Sequence, residues 1–357
     1  MNVLSIVLIV LFFGLLIAIH EFGHFIAAKA LGVKVNEFAI GMGPKVLSRE
    51  KGETLYTLRA FPIGGFCAME GEGESSDDPR AFSNKVWWKK LIILVAGAFM
   101  NFVAGVVLIL VIFFMAGSPA MPVVTGFMAG AEDVAQTGLL PGDQLYSIDG
   151  HRIYFQTNAF FFLERAGEQV EVEVLRDGAR VDLGTISLPY RQLVDENGNQ
   201  VEKRGVYVGQ FQADTPLTLL RNVWYQAVDY VRMVWIGLGD LVTGAVGLGE
   251  MSGFIGITAM AGEVGQAGAA AAGLFGLLVN ILDFTALIAI NLAVMNLLPI
   301  PALDGGQILF LLVGGIYRLF TGKKINETYL GYINTAGFIC LIILMVVVAV
   351  NDVIKLF

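Results

Sequence analysis

Four stretches of this sequence stay apolar for about the distance a helix needs to cross lipid. They run from Val3 to Ala28, from Leu91 to Ala116, from about Ile281 to Leu298 and from about Leu330 to Val350. Hydrocarbon about 30 Å thick takes roughly 20 helical residues. The first run has no basic flank before it, exceeds a signal-peptide core and shows no cleavage site, so it reads as a retained span. A Gly/Ala-rich stretch, Gly265 to Gly276, is expected as a partly buried or re-entrant segment. The fold expected is a multi-pass α-helical membrane protein of about four transmembrane helices.

Composition narrows the function classes. The chain is 56% hydrophobic and only 15% charged, where about 25% charged is usual, which excludes a disordered chain and an ordinary cytosolic enzyme. A net charge of -8 leaves no basic face for phosphates, so no nucleic-acid partner is expected. Cys67 and Cys340 lie too far apart to suggest a disulfide framework or a CxxC metal site.

Basic residues near the ends of the spans set orientation. Lys29 and Lys34, then Lys85, Lys89 and Lys90, then Arg318, Lys323 and Lys324 all fall on one side of four spans. That side is read as the cytoplasm. Residues 117 to about 280 and both termini are then expected outside.

Between the second and third spans the texture changes. Val170, Val172 and Val174 alternate with Glu171 and Glu173, and Asp177-Gly178 turns the chain into Val181 and Leu183, a hairpin signature. Asp149-Gly150 and Asn197-Gly198 are further turns. Gly138-Leu-Leu-Pro-Gly-Asp-Gln-Leu, followed by Tyr146-Ser-Ile-Asp-Gly, resembles the Gly-Leu-x-x-Gly-Asp and Ile-x-Gly pattern of PDZ domains, which take peptides by strand addition. Beyond it, Leu217, Leu220, Trp224, Ala227, Val231 and Trp235 recur at helical spacing, which predicts an interfacial helix. Glu70 to Asp78 reads as a solvated loop. The expected divisions are a membrane core in two parts, 1–118 and 281–357, a PDZ β-domain over 119–211, and an interfacial helix with the Gly/Ala-rich segment over 212–280.

The chemistry lies in the first span, which contains His20-Glu21-Phe22-Gly23-His24, an HExxH motif. Residues four apart share one helical face, so both imidazoles can converge on one ion. Glu21 can reach a water at the metal's open position and serve as general base. Zinc is the expected metal, since it accepts two imidazoles and a carboxylate. Ionisable groups at bilayer depth cost at least about 2.5–3.5 kcal/mol each on insertion scales, so three together mark a function.

A third protein ligand is needed. The remaining histidine, His151, falls in the outer domain, so the ligand should be an acid from another span, either Asp283 or Asp304. Asp304 ends Asn296-Leu-Leu-Pro-Ile-Pro-Ala-Leu-Asp304-Gly-Gly, where prolines and glycines break the third span, and broken backbone at that depth is tolerated only in protein or along a wet cavity. Counted along their inward-running helices, His20 and Asp304 both approach the cytoplasmic side, whereas Asp283 sits near the opposite boundary.

HExxH in the first span together with Asn-x-x-Pro-x-Pro-x-Leu-Asp-Gly in the third resembles the site-2 protease family of intramembrane zinc metalloproteases, over nearly the whole chain. The likeness includes Gly41-Met-Gly-Pro44, Arg59-Ala-Phe-Pro-Ile-Gly-Gly65 and Asp78-Pro-Arg-Ala-Phe82 with Lys85. The inserted PDZ-like segment makes the chain similar to the bacterial branch of regulators of sigma-E proteolysis, in a one-PDZ form. The resemblance implies that His20, His24 and Asp304 hold Zn2+, that Glu21 activates water, and that Asn296 sits beside the metal to bind substrate or steady the oxyanion. It also implies membrane-dipping β-segments over about Val35 to Phe66, with Gly41, Gly43, Gly64 and Gly65 in loops of the substrate-pairing strands. Three departures stand out: Ala96-Gly97-Ala98 where the family has Ala-Gly-Pro, Ser252-Gly253-Phe254 for Ser-Gly-Pro, and Gln307 for a common His. None is a proposed ligand.

The function expected is cleavage of single-span membrane proteins within a bacterial inner or plasma membrane, with anti-sigma factors or signal-peptide remnants as the suggested substrates and peptide C-termini as ligands of the PDZ domain. Two other classes are open to the sequence. An ion-coupled transporter also places acids on broken helices, but it predicts inverted repeats, and none is seen. A catalytically silent PDZ-containing adaptor would have no need of an intact HExxH with a remote acid.

Overall fold

The computed structural model describes residues 3–73, 76–194, 198–250, 253–322 and 327–355. Ser252, Asn197 and the basic pair Lys323 and Lys324 lie outside the described residues. The chain divides into two compact units, one formed by residues 1–109 with 230–357 and the other by residues 110–229. The division runs through the interiors of two helices.

The first unit is built from α1 (Val3–Ala30), two long strands β1 (Val35–Lys51) and β2 (Thr54–Met69), most of α2 (Trp87–Ala116), the later half of α4 (Pro216–Thr243), α5 (Phe254–Asn296), α6 (Asp304–Thr321) and α7 (Glu327–Lys355). Among the described residues four helical stretches are long and apolar enough to cross a membrane: Val10–Ala30, Trp87–Ala116, Gly256–Asn296 and Gly331–Lys355. They overlap the four runs read from the sequence.

The third of these stretches is not a single rod. A straight 43-residue helix would be about 65 Å long, twice the hydrocarbon thickness. Instead α5 breaks at Ala272 (φ −145°) and Gly273 (φ +62°) and returns on itself. Gly268 and Gly276 then meet so closely that a Cβ on either would lie within 2.2 Å of the other's carbonyl oxygen. Asn280 Nδ2 donates to the Val264 carbonyl at 2.9 Å across the pair. The Gly/Ala-rich segment is thus the tip of a helical hairpin, because only residues without bulk let two backbones approach this far. The third span therefore begins earlier than its expected start near Ile281, and it is preceded by a packed helical leg.

The returning leg of α5 runs alongside α1 in the same direction. Leu16 packs with Ile288 and Ala289, and one turn further on His20 meets Asn296. Further along, α1 crosses α2 at Gly23, where a Cβ would stand 2.4 Å from the Ala96 carbonyl oxygen. Asp352 near the end of α7 accepts hydrogen bonds from the backbone N–H groups of Gly253 (3.0 Å) and Gly256 (2.9 Å), which satisfies donors that the first turn of α5 cannot pair internally.

Strands β1 and β2 are antiparallel overall, yet their register is not that of a simple ribbon. Residues 35–40 pair with 69–65 on one side and with 55–58 on the other, while 45–51 pair with 59–54. Each strand therefore reverses direction midway. The reversals fall at Gly41 (φ +83°) and Gly43 (φ +85°) in β1 and at Gly64 (φ +95°) in β2, backbone that glycine adopts without a Cβ clash. The loop tips Met42 and Phe61 face each other and are exposed. The resulting four segments lie in the order 45–51, 54–59, 35–40, 65–69, which leaves 65–69 as an edge beside α1.

Residues 110–229 form the second unit. Its six-stranded sheet has the order β10 (Val206–Gln210), β3 (Met121–Phe127), β4 (Gln144–Ile148), β6 (Gln169–Arg176), β7 (Ala179–Ser187), with β5 (His151–Arg152) paired to β4. A separate hairpin joins β8 (Arg191–Val194) to β9 (Gln200–Lys203), and the helix α3 (Gln156–Arg165) buries Phe162 and Leu163. Val170, Val172 and Val174 are all buried, and Val174 faces Val181 across the hairpin expected at Asp177-Gly178. Asp143 accepts two hydrogen bonds from the Arg176 guanidinium, each 2.7 Å.

Candidate metal centre

Two local facts start the site. His20 and His24 stand four residues apart on α1, so their rings leave the helix on one face. Their ring centroids are 4.8 Å apart and nearly perpendicular, and the two Nε2 atoms lie 3.1 Å from each other.

Asp304 reaches the same point from the far end of the chain. Its Oδ2 lies 3.2 Å from His20 Nε2 and 3.3 Å from His24 Nε2. Asp304 is the first residue of α6, and the backbone that delivers it is tight. A Cβ on Gly305 would lie 2.2 Å from the Leu298 carbonyl oxygen, and one on Gly306 would lie 2.3 Å from that of Ile300. The Asp-Gly-Gly triplet is thus a packing requirement of the turn that follows α5.

Among the described residues, His20, His24 and Asp304 are the one group of histidine, cysteine and acid side chains placed to share an ion. Four ligands at the usual zinc distances of 2.0–2.1 Å in a tetrahedron stand about 3.3–3.4 Å apart. The triangle here has edges of 3.1, 3.2 and 3.3 Å. Asp304 Oδ2 is buried and has no hydrogen-bond partner, a costly state for a carboxylate oxygen unless a cation occupies the centre of the triangle. The residues fit zinc with one position left for a water.

The rings are held from behind. His24 Nδ1 donates to the Ile93 carbonyl of α2 at 2.8 Å, which leaves the lone pair on Nε2. The amide of Asn296 contacts His20 Nδ1 at 3.4 Å, so this residue, expected beside the metal, touches the outer nitrogen of a ligand ring. On α2, Gly97 faces both imidazoles: a Cβ there would lie 2.4 Å from His24 Nε2 and 2.7 Å from His20 Cε1. Sequence reasoning noted Ala96-Gly97-Ala98 only as a departure. The small Ala96-Gly97-Ala98 triplet inside an apolar span is the sign in the sequence that something approaches it closely.

Glu21 turns toward the edge segment of the sheet. Its carboxylate is in reach of the Cys67 backbone N–H, and a Cβ on Gly65 would meet its Cγ at 3.5 Å. Cys67 is not in the ligand group, and burial, with Glu21 nearby, pushes its thiol up to about 12. Of the four glycines singled out in the sequence, Gly41, Gly43 and Gly64 make the strand reversals and Gly65 lies on the edge segment against α1. Asp283, the other acid considered, is not in the ligand group; it accepts a hydrogen bond from the Tyr230 hydroxyl at 2.7 Å. His151 stacks on Phe162 in the second unit, with ring centroids 4.6 Å apart.

Comparison with known proteins agrees with this chemistry. Residues 8–344 match the profile of peptidase family M50. The chain is 34% identical, over 99% of its own length and 98% of the relative's, to a Clostridium acetobutylicum protein provisionally named a zinc metalloprotease. It is 28% identical, over the full length of both chains, to the regulator of sigma-W protease RasP of Bacillus subtilis. It is also 27% identical to the zinc metalloprotease RasP of Bacillus licheniformis, over 99% of each.

Proposed function

Since this chain belongs to peptidase family M50 and is a multi-pass intramembrane zinc metalloprotease, we propose that it cleaves single-span membrane proteins with His20, His24 and Asp304 as zinc ligands and Glu21 as general base. The observation that carries this reading is the 3.1–3.3 Å triangle of ligand atoms, two of them on α1, a helix apolar enough to cross lipid.

Zinc bound there supplies a Lewis acid and brings the pKa of a water to about 7. Glu21 would take the proton of a water attacking the peptide carbonyl and pass it to the leaving amine. Asn296, beside His20, fixes the ring and offers its amide to the substrate or the oxyanion. The substrate must arrive extended, because a peptide bond inside an intact helix is shielded. The edge segment at residues 65–69 lies next to Glu21, and an unwound substrate adding a strand along it would bring its backbone to the metal centre. Gly41, Gly43, Gly64 and Gly65 shape the loops that carry this edge.

The sheet and helix of residues 119–211 act as a PDZ domain outside the cytoplasm, reading new C-termini or excluding untrimmed substrates. Both chain termini lie on that outer side and the metal centre toward the cytoplasm. The parallel course of α1 and the returning leg of α5 supports one depth for His20 and Asn296. A sigma-W regulator among the relatives favours anti-sigma factors as substrates; signal-peptide remnants are the other class.

The test is cleavage of a fluorogenic single-span substrate by the full chain in proteoliposomes, with wild type, Glu21→Gln and added chelator. Activity abolished by both agents, with zinc kept in Glu21→Gln, is the expected result. Undiminished cleavage by Glu21→Gln overturns the assignment. Unchanged discrimination between full-length and trimmed substrates after deletion of residues 122–210 removes the filter role.

A further inference from the structure

Helix α7 contributes no ligand, yet it touches the turn that delivers one. Asn334 Oδ1 accepts a hydrogen bond from the Ala302 backbone N–H at 2.6 Å. Ala302 has φ +74°, in the left-handed region that an L-residue with a Cβ avoids. The other described non-glycine residues with positive φ are Asp149 and Asp177; both begin Asp-Gly turns, where a short polar side chain tolerates that backbone. Ala302 has no polar side chain to help it. Its N–H also precedes α6, so it has no helical partner and at this depth must be satisfied by protein.

One turn along the same face of α7, Gly337 closes the contact. A Cβ there would lie 2.3 Å from Pro301 Cβ. Two positions on α7 are therefore shaped to the Pro301-Ala302 turn, and Asp304 follows two residues later. An asparagine in an otherwise apolar span is costly unless its amide finds a partner, and here the partner is this turn.

We propose that Asn334 is a positioning residue for the metal centre: by holding Ala302 in its left-handed conformation it sets the start of α6 and hence the place of the Asp304 carboxylate. The inference rests on the assignment of Asp304 as a zinc ligand. Asn334 touches neither metal nor substrate, so its removal acts through ligand geometry, for which losses of about 10–100-fold in metal affinity are usual.

The experiment uses the full chain in detergent and in proteoliposomes, comparing wild type with N334A, N334D, A302G, the N334A/A302G pair and a lipid-facing control on the same helix, I343A. Zinc affinity is read by chelator competition, amide exchange at residues 300–306 by mass spectrometry, and cleavage as separate kcat and KM. N334A is expected to lose zinc affinity about tenfold or more, to expose the 300–306 amides to exchange, and to lower kcat with KM unchanged. N334D keeps an acceptor for the Ala302 N–H and recovers most of the affinity. Because glycine adopts φ +74° freely, N334A costs less in the A302G background. If N334A does not accumulate, N334S, which is too short to reach Ala302, takes its place in the same comparisons.

Wild-type affinity in N334A, or a loss that neither N334D nor A302G reduces, overturns the proposal. Wild-type protein that binds no zinc overturns the protease assignment itself, an outcome separable from failure of Asn334 alone.

Discussion

His24 donates its Nδ1–H to the Ile93 carbonyl at 2.8 Å, a bond from the first helix to the second that decides which ring nitrogen faces the ion. With Nδ1 engaged, Nε2 carries its lone pair into the triangle with His20 and Asp304. One turn further along α2 from Ile93, Gly97 leaves the volume the two rings occupy.

Gly97 therefore tolerates no side chain. Gly97→Ala puts a methyl 2.4 Å from His24 Nε2 and has to push the ring off the ion. Zinc content of the purified variant should fall by about tenfold or more, with helix content by circular dichroism unchanged. Full zinc occupancy in Gly97→Ala would mean that the rings sit elsewhere.

Glu21→Gln keeps the shape of the side chain and removes the base. Cleavage should drop by about 10²–10⁴-fold while the three ligands hold zinc as in wild type, as measured by metal analysis beside the proteoliposome assay.

The two intramembrane acids considered as ligands should separate cleanly. Asp304→Ala loses zinc and activity together. Asp283→Ala keeps its zinc, but it removes the acceptor to which the Tyr230 hydroxyl now donates at 2.7 Å, at a cost of about 1 kcal/mol. Thermal unfolding with metal analysis distinguishes the two, and zinc loss from Asp283→Ala would contradict the ligand set.

The loop after β2 carries a pH dependence. Hydrogen bonds from the Ser76 hydroxyl (2.7 Å), the Asn36 amide (3.0 Å) and the Lys34 ammonium (3.3 Å) hold the Glu70 carboxyl down to about 2. An unfolded glutamate titrates near about 4.3. With the folded value depressed, the stabilising contribution is complete above about 4.3 and is lost as pH falls through 2. Limited pepsin digestion of the full chain should show the bonds around residues 70–78 opening between pH 4.5 and 2, and Glu70→Gln should be cut readily across that whole interval.

The loop itself is legible in the sequence, but its ties are not. The Gly, Ser and acid content of Glu70 to Asp78 suggested simple solvation, but Glu70 is tied to Lys34, Asn36 and Ser76, partners whose geometry composition does not contain. The Gly/Ala-rich stretch was sensed as unusual, yet the hairpin of α5 follows from the conformations of Ala272 and Gly273 and from a backbone contact eight residues apart, neither of which hydropathy reports. In the β-segments, glycines marked the reversals at Gly41, Gly43 and Gly64, whereas the four-segment order had to be read from register.

What the sequence by itself determined was everything set by distance along one helix or by cost in lipid: the apolar spans, the i, i+4 convergence of His20 and His24, and the oddity of a broken Asn296–Asp304 segment at membrane depth. The tertiary structure alone decided that Asp304 closes the triangle within 3.3 Å, that Ile93 selects the nitrogen of His24, that Gly97 makes room and that Asn334 grips Ala302. These contacts join positions on different helices, and helix packing, not local periodicity, brings their side chains together.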